Sequence, residues 1–238
     1  MDESVMTPGV PVGRRVILGV MTLGASGVLF GNGVSRWLER LLEPITAKDG
    51  TGLASILPVG RFRIYSVTPM LPHRTKAEYR LDIKGLVDRP VTLTYEQLLA
   101  LPPKHLTKDF QCVTGWRVHD VKWKGVLLAD LLDICGVQTA AKALYFTSFD
   151  GAYTESLTLE QARRDDVIVA YKLEGKDISR SQGGPVRLYV APMYGYKSIK
   201  WLDTIEVVDT VRRGYWEERG YEVDAWIGAS NGRRDEPV

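Results

Sequence analysis

The chain has 238 residues, of which 45% are hydrophobic and 25% are charged, so it can bury the core of one large domain or two small ones. Its formal net charge is +2, and acidic residues are interspersed with basic ones along the whole chain. This balance leaves no basic field, so we expect no nucleic-acid partner.

The N-terminal segment has an asymmetric charge pattern. Arg14 and Arg15 are followed by residues 16–34, which carry no charge. Paired arginines before a glycine-bearing apolar run resemble a twin-arginine export signal and predict a periplasmic or other extracytoplasmic location. The uncharged run is close to the ~20 residues that span a bilayer, so cleavage and membrane anchoring both stay open. The alternative is an ordinary N-terminal core helix with a basic start.

This pattern divides the chain into three parts. Residues 1–35 are the predicted signal or membrane anchor, and residues 36–58 are the predicted linker, in which Pro44 stops a short amphipathic stretch. Residues 59–238 are the predicted main domain.

The main domain begins with alternating strand patterns and a short helix. Residues 79–87 place apolar side chains at every second position, which predicts a strand with one buried face. Thr94 and Gln97 have the spacing of a capping box, which predicts a short helix ended by Pro102. Residues 105–112 alternate again, so Cys112 is predicted to end a strand.

Further short elements follow in an irregular order. A turn is predicted at residues 123–125, and the helix after it carries apolar residues at helical spacing up to Cys135 and Gly136. Thr158 and Gln161 predict a second capping box. Strands are predicted at residues 143–149, 167–171 and 185–191. Strands mixed irregularly with short helices predict an α+β domain, without the βαβ repeat of a doubly wound sheet.

The two cysteines have different predicted environments. Cys135 lies on the apolar face of a helix, which predicts a buried thiol without chemical function. Cys112 precedes a polar, glycine-bearing turn, and its residue type alone leaves four roles open: buried thiol, disulfide partner of Cys135, nucleophile or metal ligand. A nucleophile would need one of the three histidines, His73, His105 or His119, as its base. The chain lacks the ligand spacing of a zinc or iron–sulfur site.

A second cluster of polar residues lies in residues 181–201. Arg187 alternates with the apolar residues of its strand, so it is predicted to point to the face opposite the core. Lys197 and Lys200 flank Ser198 in the loop that follows, which brings cations, a hydroxyl and main-chain N–H groups close together. This composition predicts a phosphate site, and the alternative is a set of solvated surface charges.

Taken in chain order, several segments resemble the molybdopterin domain of the sulfite oxidase family. The resemblance covers residues 60–225 and rests on the order of the segments YRLDIKGLVDRPVTLTYEQLLALP, DFQCVTGW, VKWKGVLLADLLD, FTSFDGAYTESLTL, QGGPVRLYVAPMYGYKSIKWLDTIEVVD and GYWEERGY. It is most similar to the short bacterial members, which include the catalytic subunit of the periplasmic methionine sulfoxide reductase. The implied fold is a sulfite-oxidase-type molybdopterin-binding fold of mixed β-sheets with short helices, without an immunoglobulin-like dimerisation domain.

The resemblance implies a molybdenum–molybdopterin cofactor and assigns roles to particular residues. Cys112 corresponds to the family's molybdenum ligand, and the pterin dithiolene supplies two further sulfur ligands. The implied cofactor-binding residues, besides Cys112, are Phe62, Tyr65, Ser66, Ser148, Gln182, Arg187, Ser198, Ile199 and Lys200. Gln182 stands where many relatives have His or Asn, and Gln111 replaces a histidine common before the ligating cysteine.

The expected function is therefore that of an exported oxidoreductase which transfers an oxygen atom to or from a sulfoxide, an N-oxide or sulfite. Trp116, Arg117 and His119 are the candidates for lining the substrate entrance next to Cys112. Electrons would be exchanged with a separate membrane cytochrome or soluble haem protein, and we expect a monomer. The alternatives are a cofactor-free exported binding domain on the same fold and a thiol hydrolase that uses Cys112 with His119.

Overall fold

The computed structural model describes residues 62–237, so the predicted signal or anchor (residues 1–35) and linker (residues 36–58) lie outside the described residues. In chain order the helices and strands are β1 (Arg80–Gly85), β2 (Val91–Thr94), α1 (Tyr95–Ala100), β3 (Lys104–Gln111), β4 (Arg117–Leu127), α2 (Leu128–Cys135), β5 (Ala143–Ser148), β6 (Thr154–Thr158), α3 (Leu159–Ala162), β7 (Val167–Leu173), β8 (Lys176–Asp177), β9 (Arg187–Val190) and β10 (Leu202–Val208). Three 3₁₀ turns lie at Arg180–Gln182, Gly195–Lys197 and Glu217–Arg219.

The strands of residues 62–237 form two sheets, of which the first is mixed and the second is antiparallel. The first has the order β2-β1-β10-β5-β6, in which β1 and β10 are parallel and the other neighbours are antiparallel. The second has the order β3-β4-β7-β8, and β9 also pairs with β7, in each case antiparallel. The predicted α+β class with mixed sheets and short helices is confirmed.

The alternation of the first predicted strand is confirmed. Tyr79, Leu81 and Ile83 are all buried in the main core, as a period of two residues requires for one covered face. Both predicted capping boxes are also present. The side chains of Thr94 and Thr158 each accept the main-chain N–H of the residue three positions later. The side chains of Gln97 and Gln161 in turn accept the main-chain N–H groups of Thr94 and Thr158.

Helix α2 buries the predicted face and ends at the predicted cap. Its buried side chains are Leu128, Leu131, Leu132 and Cys135. Gly136 follows with a φ of +70°, and its N–H donates to the carbonyl oxygen of Leu132. Cys135 has no exposed surface, and burial raises the pKa of its thiol. Both Cys135 and Cys112 are free thiols in the structure.

The predicted turn at residues 123–125 is wrong, because these residues lie inside β4. Trp123 is fully buried, and Gly125 allows close contact between neighbouring strands instead of a reversal of the chain. A Cβ at Gly125 would lie 2.3 Å from the carbonyl oxygen of Val169 in β7. The register between β4 and β7 shifts between Lys124 and Gly125, so the glycine accommodates an irregular pairing.

Candidate active site

Cys112 lies in a tight turn between β3 and β4. Its N–H donates to the carbonyl oxygen of Trp116 at 2.9 Å, and its own carbonyl oxygen accepts the N–H of Gly115 at 3.0 Å. Gly115 has a φ of +101°, which a residue with a Cβ rarely adopts. The hydroxyl of Thr114 donates to the sulfur of Cys112 at 3.2 Å. The half-buried thiol is therefore held by the main chain on both sides and faces a cavity.

The cavity has a volume of about 540 Å³, and it is built from distant parts of the described chain. The turn after β3 contributes Cys112 and Trp116, and the segment before β9 contributes Gln182. Strand β9 contributes Arg187, and the following loop contributes Lys200. The thiol of Cys112 and two of the predicted cations, Arg187 and Lys200, thus line one cavity, although they are far apart in the chain.

Arg187 is a buried cation without a carboxylate partner in residues 62–237. It is only 2% exposed, and its guanidinium donates to the carbonyl oxygens of Gln182 and Ser198, both at 2.7 Å. The same group lies 5.5 Å from the ring centroid of Phe110 and 5.6 Å from that of Trp123. Burial lowers the pKa of Arg187 to about 10. Its charge is thus shared among carbonyl dipoles and aromatic faces.

Lys200 is a second cation on the same cavity, and no ion pair joins it to a carboxylate in the described residues. Its Nζ donates to the carbonyl oxygens of Tyr65 at 2.7 Å and Ser181 at 3.4 Å. Burial, followed by the positive charge of Arg187, lowers the pKa of Lys200 to about 7. Two neighbouring cations that oppose each other's charge favour an anion between them.

Ser198 lies in the loop that follows β9, two residues before Lys200. Its side-chain oxygen accepts the N–H of Val190 at 3.0 Å, which fixes the hydroxyl beside β9, and Ser198 lines the cavity. Gln182 also lines the cavity, and its side-chain oxygen accepts the hydroxyl of Ser179 at 2.8 Å.

The segment of residues 62–67 lies along the cavity, so Phe62, Tyr65 and Ser66 all line it as predicted. Phe62 packs 5.3 Å from the ring of Phe110, and Tyr65 stacks 6.5 Å from the ring of Trp116. The aromatic contacts attach this segment to the end of β3 and to the turn that carries Cys112, and the Lys200 hydrogen bond attaches it to the loop before β10.

Four predicted site residues do not line the cavity. Arg117 donates from Nε to Gln111 at 2.5 Å, and His119 lies with Nδ1 at 2.7 Å from the carboxylate of Asp109. The hydroxyl of Ser148 accepts the N–H of the residue two positions later, within its own turn. Ile199 is buried in the main core because it alternates with the cavity-facing residues on either side.

Lys197 is not a member of the cation cluster predicted for residues 181–201. It has no exposed surface and pairs with Glu155 and Glu217, away from Arg187 and Lys200. Its partners lie 42 residues before and 20 residues after it in the chain, so local sequence could not reveal this pairing.

The sequence analysis missed most of the aromatic wall and one acid. The cavity is also lined by Asp150, Tyr153, Tyr196, Tyr215, Trp216 and Tyr221. The Oδ2 atom of Asp150 and the Nε1 atom of Trp116 are buried and have no hydrogen-bond partner among the described residues. Three of the wall residues, Tyr215, Trp216 and Tyr221, lie in the segment GYWEERGY, and its density of aromatic residues is the sequence signal for this wall.

These features fit an anionic cofactor with many polar atoms. The unpaired acceptor on Asp150 and the unpaired donor on Trp116 suit a ligand that provides the matching groups. Arg187 and Lys200 suit a ligand with negative charge, and Cys112 offers one soft ligand. Within residues 62–237, no three His, Cys, Asp or Glu side chains cluster in a way that could hold a metal ion.

Residues 68–216, more than half of the chain, match the family model described as the oxidoreductase molybdopterin binding domain. The chain belongs to this family. The predicted membership of the molybdopterin-binding oxidoreductases is therefore confirmed, and the family's cofactor agrees with the polar groups and charges of the cavity.

Curated members of the molybdopterin-binding family are similar over much of the chain. The uncharacterized oxidoreductase YuiH of Bacillus subtilis is 32% identical over 63% of this chain and 76% of its own length. Sulfite oxidase of Arabidopsis thaliana is 28% identical over 71% of this chain and 51% of its own length. The protein-methionine-sulfoxide reductase catalytic subunit MsrP of Campylobacter jejuni is 28% identical over 58% of this chain and 52% of its own length. The chain thus spans about half the length of the last two relatives.

A solved structure that is similar to this chain supports the fold. The sulfane dehydrogenase SoxCD of Paracoccus pantotrophus is 27% identical, with a TM-score of 0.55, over 59% of this chain and 41% of that chain. The sulfite-oxidase-type fold predicted from the resemblance is confirmed. No helix in residues 62–237 has the length and apolar character needed to cross a membrane.

Proposed function

We propose that the cavity binds a molybdenum–molybdopterin cofactor and transfers an oxygen atom to or from a small sulfur- or nitrogen-oxo substrate. The observation that supports this most directly is the presence of one thiol, Cys112, in the same cavity as Arg187 and Lys200, which have no carboxylate partner in the described chain. When bound, the cofactor supplies two-electron oxygen-atom transfer. Reduction of a sulfoxide consumes two electrons and two protons and releases the sulfide and water.

In this proposal Cys112 is the single protein ligand to molybdenum. A thiolate suits a metal that already has sulfur ligands, and the turn that holds Cys112 leaves its sulfur facing the cavity. The hydroxyl of Thr114 donates a hydrogen bond to that sulfur.

Arg187, Lys200 and Ser198 are proposed to bind the cofactor phosphate. A phosphate between the cations would favour the protonated form of Lys200, since its negative charge opposes the unfavourable effect of the Arg187 charge. Gln182 supplies a polar side chain at the same wall, and Asp150 supplies an acceptor for an N–H group of the pterin. Phe62, Tyr65 and Ser66 cover the cofactor along the segment of residues 62–67.

The remaining predicted site residues act indirectly in this proposal. Ser148 fixes the turn that carries Asp150, and Ile199 anchors the loop between Ser198 and Lys200 in the core. Arg117 and His119 support the Cys112 turn through the side chains of neighbouring residues of β3, whereas Trp116 lines the cavity directly.

The wall favours small uncharged substrates such as sulfoxides and N-oxides over sulfite. Among the described residues that line the cavity, the cations are Arg63, Arg187 and Lys200, and the cofactor phosphate would neutralise the last two. Much of the remaining wall consists of aromatic rings, including Tyr153 and Tyr215. Such a surface binds apolar groups well and desolvates an anion at a cost.

The proposal includes an exported location and a separate electron partner. The paired Arg14 and Arg15 before an uncharged run support export. If the signal segment is not cleaved, residues 16–34 would anchor the protein in the membrane. The partner would be a membrane cytochrome or a soluble haem protein that exchanges one electron at a time.

Metal analysis tests the proposal. Protein produced in a molybdenum-replete host should contain close to one equivalent of molybdenum, and Cys112→Ser should lose most of it. Cys135→Ser is the matched control because this thiol is buried in the main core. Less than about a tenth of an equivalent in the wild type would instead favour a cofactor-free binding domain.

A turnover screen then identifies the substrate. Methionine sulfoxide, dimethyl sulfoxide and trimethylamine N-oxide are tested with reduced benzyl viologen as electron donor, and sulfite is tested with ferricyanide as acceptor. We expect reduction of a sulfoxide or N-oxide to be faster than oxidation of sulfite. Faster oxidation of sulfite would contradict the proposed preference for uncharged substrates.

A further inference from the structure

A buried ion cluster lies behind the aromatic wall of the cavity. Lys197, Glu155 and Glu217 each have side chains with no exposed surface. The Nζ atom of Lys197 lies 2.5 Å from Oε2 of Glu155 and also donates to Oε1 of Glu217. Burial of charged groups is costly unless they are paired, so this arrangement is strongly specified by the fold.

The cluster connects three segments that are distant in sequence. Glu155 belongs to β6, Lys197 ends the 3₁₀ turn Gly195–Lys197, and Glu217 begins the 3₁₀ turn Glu217–Arg219. The second oxygen of Glu217 accepts the N–H of Gly214 at 2.5 Å, and that of Glu155 has no partner in residues 62–237. The single ammonium of Lys197 thus holds the side chains of Glu155 and Glu217 together.

Each of these segments also provides part of the cavity wall. Tyr153 lies two residues before Glu155, and Trp216 lies directly before Glu217. Tyr196 and Ser198 lie on either side of Lys197, and all of these neighbours line the cavity. The cluster itself does not line it, so its charges act on the wall only through adjacent residues.

Contacts between the wall residues depend on the same alignment. The hydroxyl of Tyr153 donates to the carbonyl oxygen of Tyr196 at 2.6 Å, and the ring of Tyr153 stacks 5.7 Å from that of Tyr215. The N–H of Tyr215 donates to the carbonyl oxygen of Thr154 at 3.0 Å. These contacts join the same three segments that Lys197 joins from behind.

We propose that Lys197 is a positioning residue that sets the shape of the substrate wall by holding Glu155 and Glu217 together behind it. The proposal rests on the proposed function of the cavity as a substrate site. Cys112 and Arg187 lie on other segments, and Ser198 and Lys200 share only the loop of Lys197. Loss of the Glu155 or the Glu217 interaction alone should therefore loosen the wall and leave cofactor binding intact.

The test combines hydrogen exchange with kinetics on the full-length protein as purified. Lys197→Met removes both ion pairs, while Glu217→Gln and Glu155→Gln each weaken one link and leave the other pair with balanced charge. Lys172→Met is the matched control, because Lys172 forms an exposed ion pair with Asp177.

Segment-specific exchange is the expected result. Glu217→Gln should raise amide exchange at least about tenfold in residues 214–217 only, and Glu155→Gln should do so in residues 153–156 only. Lys197→Met should affect both segments and residues 195–198. If Lys197→Met does not fold, the two Gln variants still decide the question. Unchanged exchange at 214–217 in Glu217→Gln, or a uniform rise that includes β1, would overturn the proposal.

The kinetic measurement separates positioning from general stability. With methionine sulfoxide and reduced benzyl viologen, the Gln variants should raise KM by at least about tenfold with less than a threefold change in kcat and unchanged molybdenum content. An equal loss of molybdenum and activity would contradict positioning. If the wild type contains no molybdenum, the proposed function fails, and the exchange pattern still tests whether Lys197 holds the wall.

Discussion

The ammonium of Lys200 donates a 2.7 Å hydrogen bond to the main-chain carbonyl oxygen of Tyr65. This contact joins the loop before β10 to the segment of residues 62–67, and both line the cavity that contains Cys112. The same ammonium lies near the Arg187 guanidinium, whose charge helps to lower the pKa of Lys200 to about 7 after the larger effect of burial. A bound anion would therefore change both the protonation of Lys200 and its contact with Tyr65.

Anion binding to the cofactor-free protein should weaken as pH rises. Above pH 7, Lys200 must gain a proton to bind an anion, because its pKa is about 7. We expect the affinity for sulfate to fall by up to about tenfold per pH unit above pH 7. Titration calorimetry at constant ionic strength measures this. Lys200→Met should abolish the dependence, whereas Lys176→Met, an exposed lysine, should preserve it.

Arg187 should be needed for cofactor retention. Replacement by Met keeps an apolar stem against Phe110 and Trp123 but removes the buried charge, so molybdenum content should fall at least about tenfold. Elemental analysis of purified protein checks this, with thermal unfolding measured on the same samples. Arg163→Met, at an exposed pair with Asp133, is the control. Full molybdenum content in Arg187→Met would contradict the proposed phosphate site.

Asp150 should contribute to cofactor affinity through its unpaired oxygen. In Asp150→Asn, Oδ1 can still accept the N–H groups of Ala152 and Tyr153, so the turn should be preserved. The substitution replaces the unpaired Oδ2 acceptor with an NH₂ donor. This should weaken the binding free energy of the cofactor by about 1–3 kcal/mol, or about five- to 150-fold in affinity. The rate of cofactor loss during dilution measures this effect. A rate equal to that of Asp133→Asn, an exposed control, would contradict the role of Asp150.

Protein stability should decrease with rising pH because of Glu155. Its pKa is raised from 4.5 to about 8, first by burial and then by the charge of Glu217, against the opposing effect of Lys197. The other titratable groups whose pKa values respond to Glu155 are Tyr153 and Tyr196. The folded chain holds a proton that the unfolded chain loses above pH 4.5, so this contribution is complete below pH 4.5 and is lost as pH rises through 8.

Denaturant unfolding at a series of pH values tests the Glu155 prediction. Glu155→Gln should flatten the decrease in unfolding free energy between pH 5 and 8, because the amide does not titrate. Glu96→Gln, at an exposed position of α1, should leave the decrease unchanged. An identical pH profile in wild type and Glu155→Gln would show that another group is responsible.

Much of the fold was predictable because its signals are local. The alternation through Tyr79, Leu81 and Ile83 and the capping pair Thr94–Gln97 each depend on residues within one element. The turn predicted at residues 123–125 failed because the need for Gly125 comes from Val169 on a neighbouring strand. A glycine required by tertiary contact has the same local pattern as a glycine required by a turn.

The site was predictable where the order of several segments resembles a family. Residue type alone left four roles open for Cys112 and a surface role open for Arg187 and Lys200, and the resemblance selected all three, which line the cavity. The wall residues Tyr153 and Trp216 could not be selected, because an aromatic residue fits a core equally well. Their assignment required the packing of segments that lie more than 60 residues apart.

The turn at Cys112 has a consequence for how the protein acquires its cofactor. Because main-chain hydrogen bonds to Trp116 and from Gly115 already hold Cys112, its thiol does not need to be ordered when a ligand arrives. In the proposed function Cys112 is the metal ligand, and a preorganised ligand reduces the conformational entropy lost on binding. Under that proposal, insertion of the cofactor into an already folded chain is compatible with tight binding, and the time at which the cofactor is loaded can be separated from the time at which the domain folds.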